Sequence, residues 1–151
     1  MIIVVDVNIF FSALISPNNR LAKLLTHPNL PIQRISCHYA VVELFKHQPK
    51  IVKYAKKSVE EVIIDLYDSL REVKLYNETF IEEEHWIEAE RLTSGVDNFD
   101  INYVALALHT GAFLWTGDKK LATHLQSMGY DHVITTEGIY QSLENNFETY
   151  S

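Results

Sequence analysis

The chain has 151 residues, of which 47% are hydrophobic and 22% charged, and its net charge is −7. This composition predicts one domain with a buried core, residues 1–151, and excludes a disordered chain, a collagen-like fibre, a disulfide scaffold and a general polyanion binder. The single Cys37 cannot pair within the chain, and the apolar start lacks the basic residues of a signal peptide. We therefore expect a cytoplasmic protein without a membrane span.

Strands and helices alternate in the first half of the chain. Ile2–Val5 is a short, wholly apolar and mostly β-branched run, which is typical of a strand buried on both faces of a parallel sheet. After it, the apolar periodicity and the prolines predict helices over Asn8–Leu14, Leu21–Leu25 and His38–His47, a strand over Ile32–Ser36, and a further helix that Pro49 opens.

The second half continues the alternation. Ser58 with Glu61, and Thr79 with Glu82, have the spacing of capping boxes and predict two helix starts. The remaining elements are a strand over Val73–Tyr76, a helix ended by Gly95, a helix over Asn98–Thr110 ended by Gly111, a strand over Phe113–Thr116, a helix ended by Gly129 and a strand over His132–Thr135. This order predicts an α/β fold, a sandwich around a mainly parallel sheet.

Acidic residues recur where the predicted strands end and the helices begin. Asp6 and Asp118 follow strands, Glu43 lies in the helix from His38, and Asp100 lies in a first helical turn with Asp97 just before it. Ligands of an open parallel sheet bind beyond the carboxyl ends of its strands, where these acids would converge. Gathered carboxylates repel one another unless a cation intervenes, and oxygen ligands select Mg²⁺ or Mn²⁺. Phosphodiester hydrolysis is the chemistry that such a site would support.

Each of these acids also has an ordinary structural explanation. Asp6 and Asp118 could cap the helices that follow them, and Asp97 and Asp100 suit a helix start, where the dipole favours negative charge. Glu43 could belong to a solvated helix face. The individual positions are therefore weak indicators, and the argument rests on their arrangement.

That arrangement resembles a known family. The segments IIVVDVNIFFSAL, VVELFKH and DNFDINYVALALHTGAFLWTGDKKL are similar to the successive motifs of PIN-domain ribonucleases, from Ile2 to about Leu121. The resemblance implies an Mg²⁺- or Mn²⁺-dependent endoribonuclease on a PIN-like fold, a three-layer α/β/α sandwich around a mainly parallel sheet. It implies the metal-binding and catalytic residues Asp6, Glu43, Asp100 and Asp118. It also implies supporting roles for Asn8 and Thr116, and a metal-binding role for Asp97 as in some members. The acidic stretch Glu82–Glu84 matches no motif of the family.

Basic residues are concentrated just after Glu43. Five lysines lie close together in the sequence with Tyr54 among them: Lys46, Lys50, Lys53, Lys56 and Lys57. A patch of this kind could hold an RNA strand while Tyr54 stacks on a base. A solvated helix face is an equally good explanation of the same residues. Lys119, Lys120 and His124 form a second, smaller basic group beside Asp118.

Two further classes of function stay open. An aspartate-nucleophile phosphatase would use Asp6, but it needs a second acid where Asn8 stands, and an amide cannot donate the proton. A PIN-like module without turnover would bind RNA or protein, and the four intact acids argue against it. For the ribonuclease, the resemblance predicts RNA as substrate, an antitoxin protein as partner in a toxin–antitoxin pair, and a homodimer.

Overall fold

A five-stranded parallel sheet forms the centre of the computed structural model, which describes residues 1–17, 19–96 and 101–147, with side chains up to residue 144. The strand order is β3-β2-β1-β4-β5, and every pairing is parallel. The strands are β1 (Ile2–Val5), β2 (Gln33–Cys37), β3 (Val73–Tyr76), β4 (Phe113–Trp115) and β5 (Val133–Ile134).

Nine α-helices accompany the sheet in the described ranges. They are α1 (Val7–Ile15), α2 (Arg20–Thr26), α3 (His38–Lys46), α4 (Gln48–Ala55), α5 (Val59–Arg71), α6 (Glu83–Thr93), α7 (Ile101–Thr110), α8 (Lys119–Ser127) and α9 (Thr136–Phe147), with a 3₁₀ turn at Glu78–Phe80. Helix α7 packs against β1, β2 and β4 and is covered by α6, which also contacts α8. Helix α1 packs with α2, α3, α4 and α5. The architecture is the predicted α/β/α sandwich.

The core explains why these segments adopt these elements. In β1, Ile3, Val4 and Val5 are fully buried, as expected for a central strand with neighbours on both sides. Five consecutive residues of α7, from Tyr103 to Ala107, are buried, so this helix lies in the interior rather than at the surface. None of the helices described is long and apolar enough to cross a lipid bilayer.

Helix boundaries follow the sequence signals with one exception. The capping box of Ser58 and Glu61 is present at the start of α5. The box predicted from Thr79 and Glu82 is wrong, because Asn77 caps the 3₁₀ turn with its side chain and Glu82 is itself the N-cap of α6.

The ends of the other helices agree with the glycine signals. Gly95, Gly111 and Gly129 follow α6, α7 and α8 with positive φ, as predicted. The predicted helix start at Asn98 lies outside the described residues, and α7 is described from Ile101. Helix α9 was not among the predicted elements.

Candidate active site

Asp6 is the residue that links β1 to α1. Its Oδ1 accepts hydrogen bonds from the backbone N–H groups of Asn8, at 2.7 Å, and Ile9, at 3.4 Å, and so caps α1. Its Oδ2 is buried and accepts no hydrogen bond of good geometry from the described residues, although the Thr116 hydroxyl lies close enough to this carboxylate to favour its charged form. A buried carboxylate oxygen without a donor is costly, and this one requires an explanation.

Burial also changes the acidity of Asp6. Desolvation raises the pKa of its carboxyl to about 6, and the negative charge of Asp118 adds to the rise. The Thr116 hydroxyl and the N–H groups of Asn8 and Ile9 oppose it, because they interact favourably with the charged form. Asp6 is therefore a carboxylate whose charge is poorly compensated by its protein neighbours.

Glu43 lies on the inward face of α3 and is only 8% exposed. The solvated-face explanation of this residue is therefore wrong. Its Oε1 is buried and, like Asp6 Oδ2, has no hydrogen-bond donor in the described structure. Desolvation, and secondarily the charge of Asp6, raise the pKa of Glu43, while Lys46 lowers it.

Asp118 reaches the same region from the other neighbour of β1. Strand β4 pairs with β1 so that Val5 lies beside Trp115, and the chain then continues through Thr116 to Asp118. The Thr116 hydroxyl accepts a hydrogen bond from the Asp118 N–H at 3.0 Å, which fixes this loop. Asp118 Oδ1 caps α8 by accepting from the N–H groups of Lys120 and Leu121.

A cleft of about 460 Å³ joins these elements at the carboxyl edge of the sheet. Glu43 and Asp118 line it, and the buried Asp6 interacts electrostatically with both. Asp97 and Asp100 lie outside the described residues. The remaining residues that line the cleft are Val7, Asn8, Phe11, His47, Gly95, Val96, Lys120 and Leu121.

The start of α7 belongs to the same edge of the sheet. Cys37 ends β2, and its Sγ contacts the carbonyl oxygen of Asn102 at 3.6 Å. Burial, together with the charges of Glu78 and Glu43, raises the pKa of the Cys37 thiol far above its usual range, so this residue is an unreactive core side chain. The first described turn of α7 therefore packs against the strand end that leads into α3.

The donor set suits a divalent cation. Asp6 Oδ2 and Glu43 Oε1 are buried carboxylate oxygens that accept no hydrogen bond from the described residues, and a cation is one group that could neutralise them. The carboxylate oxygens of Asp6, Glu43 and Asp118 do not all lie within 4.8 Å of one another, so one cation would have to draw them closer together. Oxygen donors favour Mg²⁺ or Mn²⁺ over zinc. The two residues and Asp118 belong to three different elements, which the parallel pairing of β1 with β2 and β4 brings to one edge.

A second group of potential ligands lies elsewhere. Glu82, Glu84 and His85 bring one donor atom each within 4.8 Å of one another, the one trio in the described ranges that meets this distance. The group is at the start of α6, whereas Gly95 and Val96, which line the cleft, follow the end of that helix. An eleven-residue helix is roughly 15 Å long, so the trio is separate from the cleft.

The predicted basic residues are not equivalent. Lys50 lines a groove beside the cleft, and Lys53 Nζ lies 5.8 Å from the centroid of the Tyr54 ring. Lys57, in contrast, forms an ion pair with Asp65 at 2.7 Å, so its charge is already paired. Lys46 lies close enough to Glu43 to favour its charged form.

Some residues that line the cleft were not among the predicted ones. His47 is the clearest, since it follows Glu43 by one helical turn and its N–H donates to the Glu43 carbonyl. The i, i+4 spacing is visible in the sequence and could have indicated it. Phe11 packs edge to face on His47, with ring centroids 5.7 Å apart.

Comparisons with known proteins agree with this fold. The family model described as "PIN domain" matches residues 4–143. Six chains of solved structures match. One belongs to the crystal structure of VapBC2 from Rickettsia felis bound to a DNA fragment from their promoter, with 18% identity, a TM-score of 0.58, and coverage of 89% of this chain and 97% of that chain. No curated protein matches the sequence significantly.

Proposed function

Because the chain belongs to the PIN-domain family, whose model matches most of its length, we propose that it is a metal-dependent endoribonuclease that works as a single domain in the cytoplasm. The observation that favours this function most is a pair of buried carboxylate oxygens, Asp6 Oδ2 and Glu43 Oε1, that accept no hydrogen bond from any residue the structure describes. Two such oxygens at one edge of the sheet destabilise the protein unless a cation or a proton neutralises them.

In the proposed site, Asp6, Glu43, Asp100 and Asp118 hold Mg²⁺ or Mn²⁺, and Asp97 is a candidate for an additional ligand, as in some members of the family. A divalent cation lowers the pKa of a bound water and neutralises charge on a phosphate that is being cleaved. Asp6 and Asp118 keep fixed positions because each caps a helix with Oδ1. That geometry leaves the Oδ2 of each residue for the cation.

The supporting residues hold the acids in place. The Thr116 hydroxyl accepts a hydrogen bond from the Asp118 N–H and so fixes the loop of Asp118. The same hydroxyl favours the charged form of Asp6. Asn8 lines the cleft directly after Asp6 and can donate its amide to a phosphate oxygen of the substrate.

We propose single-stranded RNA as the substrate. Lys120 lines the cleft and Lys50 lines the groove beside it, and both are exposed cations that can contact phosphates near the acids. Lys53, also exposed, lies next to Tyr54 of the groove and can contact a phosphate further along the strand. Lys46, which lies nearer Glu43, would contribute to the local field.

The partner that we propose is an antitoxin protein. The VapBC2 relative supports this idea at the level of the fold, and the exposed apolar residues of α3 offer a surface for a partner: Tyr39, Val42 and Phe45. A homodimer would cover the exposed apolar residues of α5: Ile63, Ile64 and Tyr67.

The function is tested by incubating the purified protein with single-stranded RNA and with DNA of the same sequence, in Mn²⁺ and in EDTA. We expect the protein to cleave the RNA but not the DNA, and only in the presence of Mn²⁺. Cleavage that persists in EDTA would contradict the metal-dependent mechanism, and cleavage of DNA alone would contradict the substrate.

A further inference from the structure

An apolar groove of about 310 Å³ runs from the acidic cleft along α1 and α4. Asn8, Phe11 and His47 line both the groove and the cleft, so the two are continuous. Beyond these shared residues the groove is lined by Ile15, Lys50, Ile51 and Tyr54. The surface of the groove is mainly hydrocarbon and aromatic, whereas that of the cleft is about evenly polar and apolar.

We propose that this groove binds the base of a nucleotide adjacent to the phosphate that the acidic cleft receives. The inference rests on the proposed function and adds a site for the base to it. A nucleobase has apolar faces and polar edges, which suits walls of Phe11 and Ile15 with the polar Asn8 and His47 at the inner end.

Tyr54 is the residue at which stacking is expected. Tyr54 lines the groove and is 54% exposed, so its ring can offer a face to a ligand. Lys53 Nζ lies 5.8 Å from the ring centroid, so a cation is available near a base stacked on this ring. Lys50 at the groove provides a second cation for a neighbouring phosphate.

The charges favour a nucleotide over an apolar peptide as the occupant. Lys50 and Lys53 complement a phosphodiester backbone, and no acidic residue lines the groove among the described residues. Because the groove opens into the acidic cleft, a bound RNA strand would place a base in the groove and the adjacent phosphate at the acidic residues. Paired bases cannot enter, because their faces are stacked within a duplex, so the groove selects single strands.

The test measures equilibrium binding in EDTA, where cleavage does not interfere. The probes are an oligoadenylate of about twelve nucleotides and a ribose-phosphate chain of equal length without bases. For the wild type we expect the oligoadenylate to bind more tightly. Tyr54→Ala should reduce this preference by about 5- to 150-fold, the usual contribution of one aromatic stack, and Tyr54→Phe should retain it.

Matched variants separate the base from the phosphate. Lys50→Ala should weaken both probes by the same factor, and Phe80→Ala, which removes an exposed aromatic side chain of the 3₁₀ turn outside the groove, should change neither. An unchanged preference in Tyr54→Ala, or equal binding of the two probes by the wild type, would overturn the inference. The latter result would leave an apolar segment of a partner protein as the occupant.

Binding in EDTA also separates this inference from the proposed function. A Tyr54-dependent preference for bases in a protein that cleaves no RNA would contradict the ribonuclease and support the groove. Cleavage of RNA together with a silent Tyr54→Ala would support the ribonuclease and contradict the groove.

Discussion

Burial and, after it, the negative charge of Asp6 raise the pKa of Glu43, although the two acids belong to different elements, one at the start of α1 and the other within α3. Each also has a buried oxygen that accepts no hydrogen bond from the described residues. Two carboxylates that repel each other in a partly dehydrated cleft weaken the fold, and a protein retains such a pair when another group neutralises it. The proposed cation has this role.

The first prediction concerns stability without metal. The pKa of Asp6 is raised from 3.8 to about 6, so the folded state holds this proton more tightly than the unfolded state. The free energy of unfolding therefore falls as pH rises from about 4 to about 6, by about 3 kcal/mol. Asp6→Asn keeps a side chain that caps helices and removes the charge.

We expect Asp6→Asn to be more stable than the wild type at about pH 7.5 in EDTA, and to lose most of this advantage at about pH 4. Urea denaturation at the two pH values measures it. An advantage of equal size at both values would show that the charge of Asp6 is not the cause.

The second prediction concerns metal binding. Because Asp6 must lose its proton to bind a cation, the affinity for Mn²⁺ should fall steeply below about pH 6, approaching tenfold per pH unit. A thermal-shift titration measures this, because the rise in melting temperature that Mn²⁺ causes should become smaller as the pH is lowered.

A matched variant identifies which group binds the cation. Glu82→Gln with Glu84→Gln removes the trio at the start of α6 and should leave the Mn²⁺ shift unchanged, whereas Glu43→Gln should reduce it. The reverse pattern would assign the cation to α6 and contradict the proposed cleft.

The third prediction distinguishes the lysines. Lys50→Ala and Lys53→Ala should each lower the slope of log affinity against log salt by about 0.7 on single-stranded RNA. Lys57→Ala should not, because Lys57 is paired with Asp65. Fluorescence anisotropy over a range of salt concentrations measures the slopes, and equal effects of all three would contradict the selective patch.

Much of the fold was predictable because its signals are local. The apolar run of β1, the capping box of Ser58 and the glycines after helices each depend on neighbouring residues. Helix α9 repeats Ile139 and Leu143 at a spacing of four, a pattern present in the sequence, and both side chains are buried. The bond from Trp115 Nε1 to Thr136 Oγ1, which joins β4 to α9, depends on tertiary packing that no local pattern indicates.

The site was predictable in part for the same reason. The sequence allows Asp6 and Asp118 to be helix caps or site residues. The structure shows that both cap helices through Oδ1, and their role as site residues is a proposal. The burial of Glu43 and the groove of Tyr54 depend on how α3 and α4 pack against α1. The angles at which helices pack cannot be predicted from a single sequence.

The fourth prediction concerns the structural role of Asp118. Asp118→Asn preserves a side chain that can cap α8, so the fold should be retained, while a ligand charge is lost. Asp118→Ala should in addition lose about 1 kcal/mol of stability with the cap. Urea denaturation of the two variants measures this difference in stability, and equal stabilities would contradict the capping role of Asp118.

The central claim is tested most directly by the single-turnover rate of RNA cleavage in Mn²⁺ by the wild type and by Asp118→Asn, with Glu84→Gln as a control for the loss of an acid outside the cleft. We predict a rate at least about 100-fold lower for Asp118→Asn, with RNA binding retained, and an unchanged rate for Glu84→Gln. If Asp118→Asn cleaves RNA as fast as the wild type while Mn²⁺ is limiting, the acidic cleft is not the catalytic site.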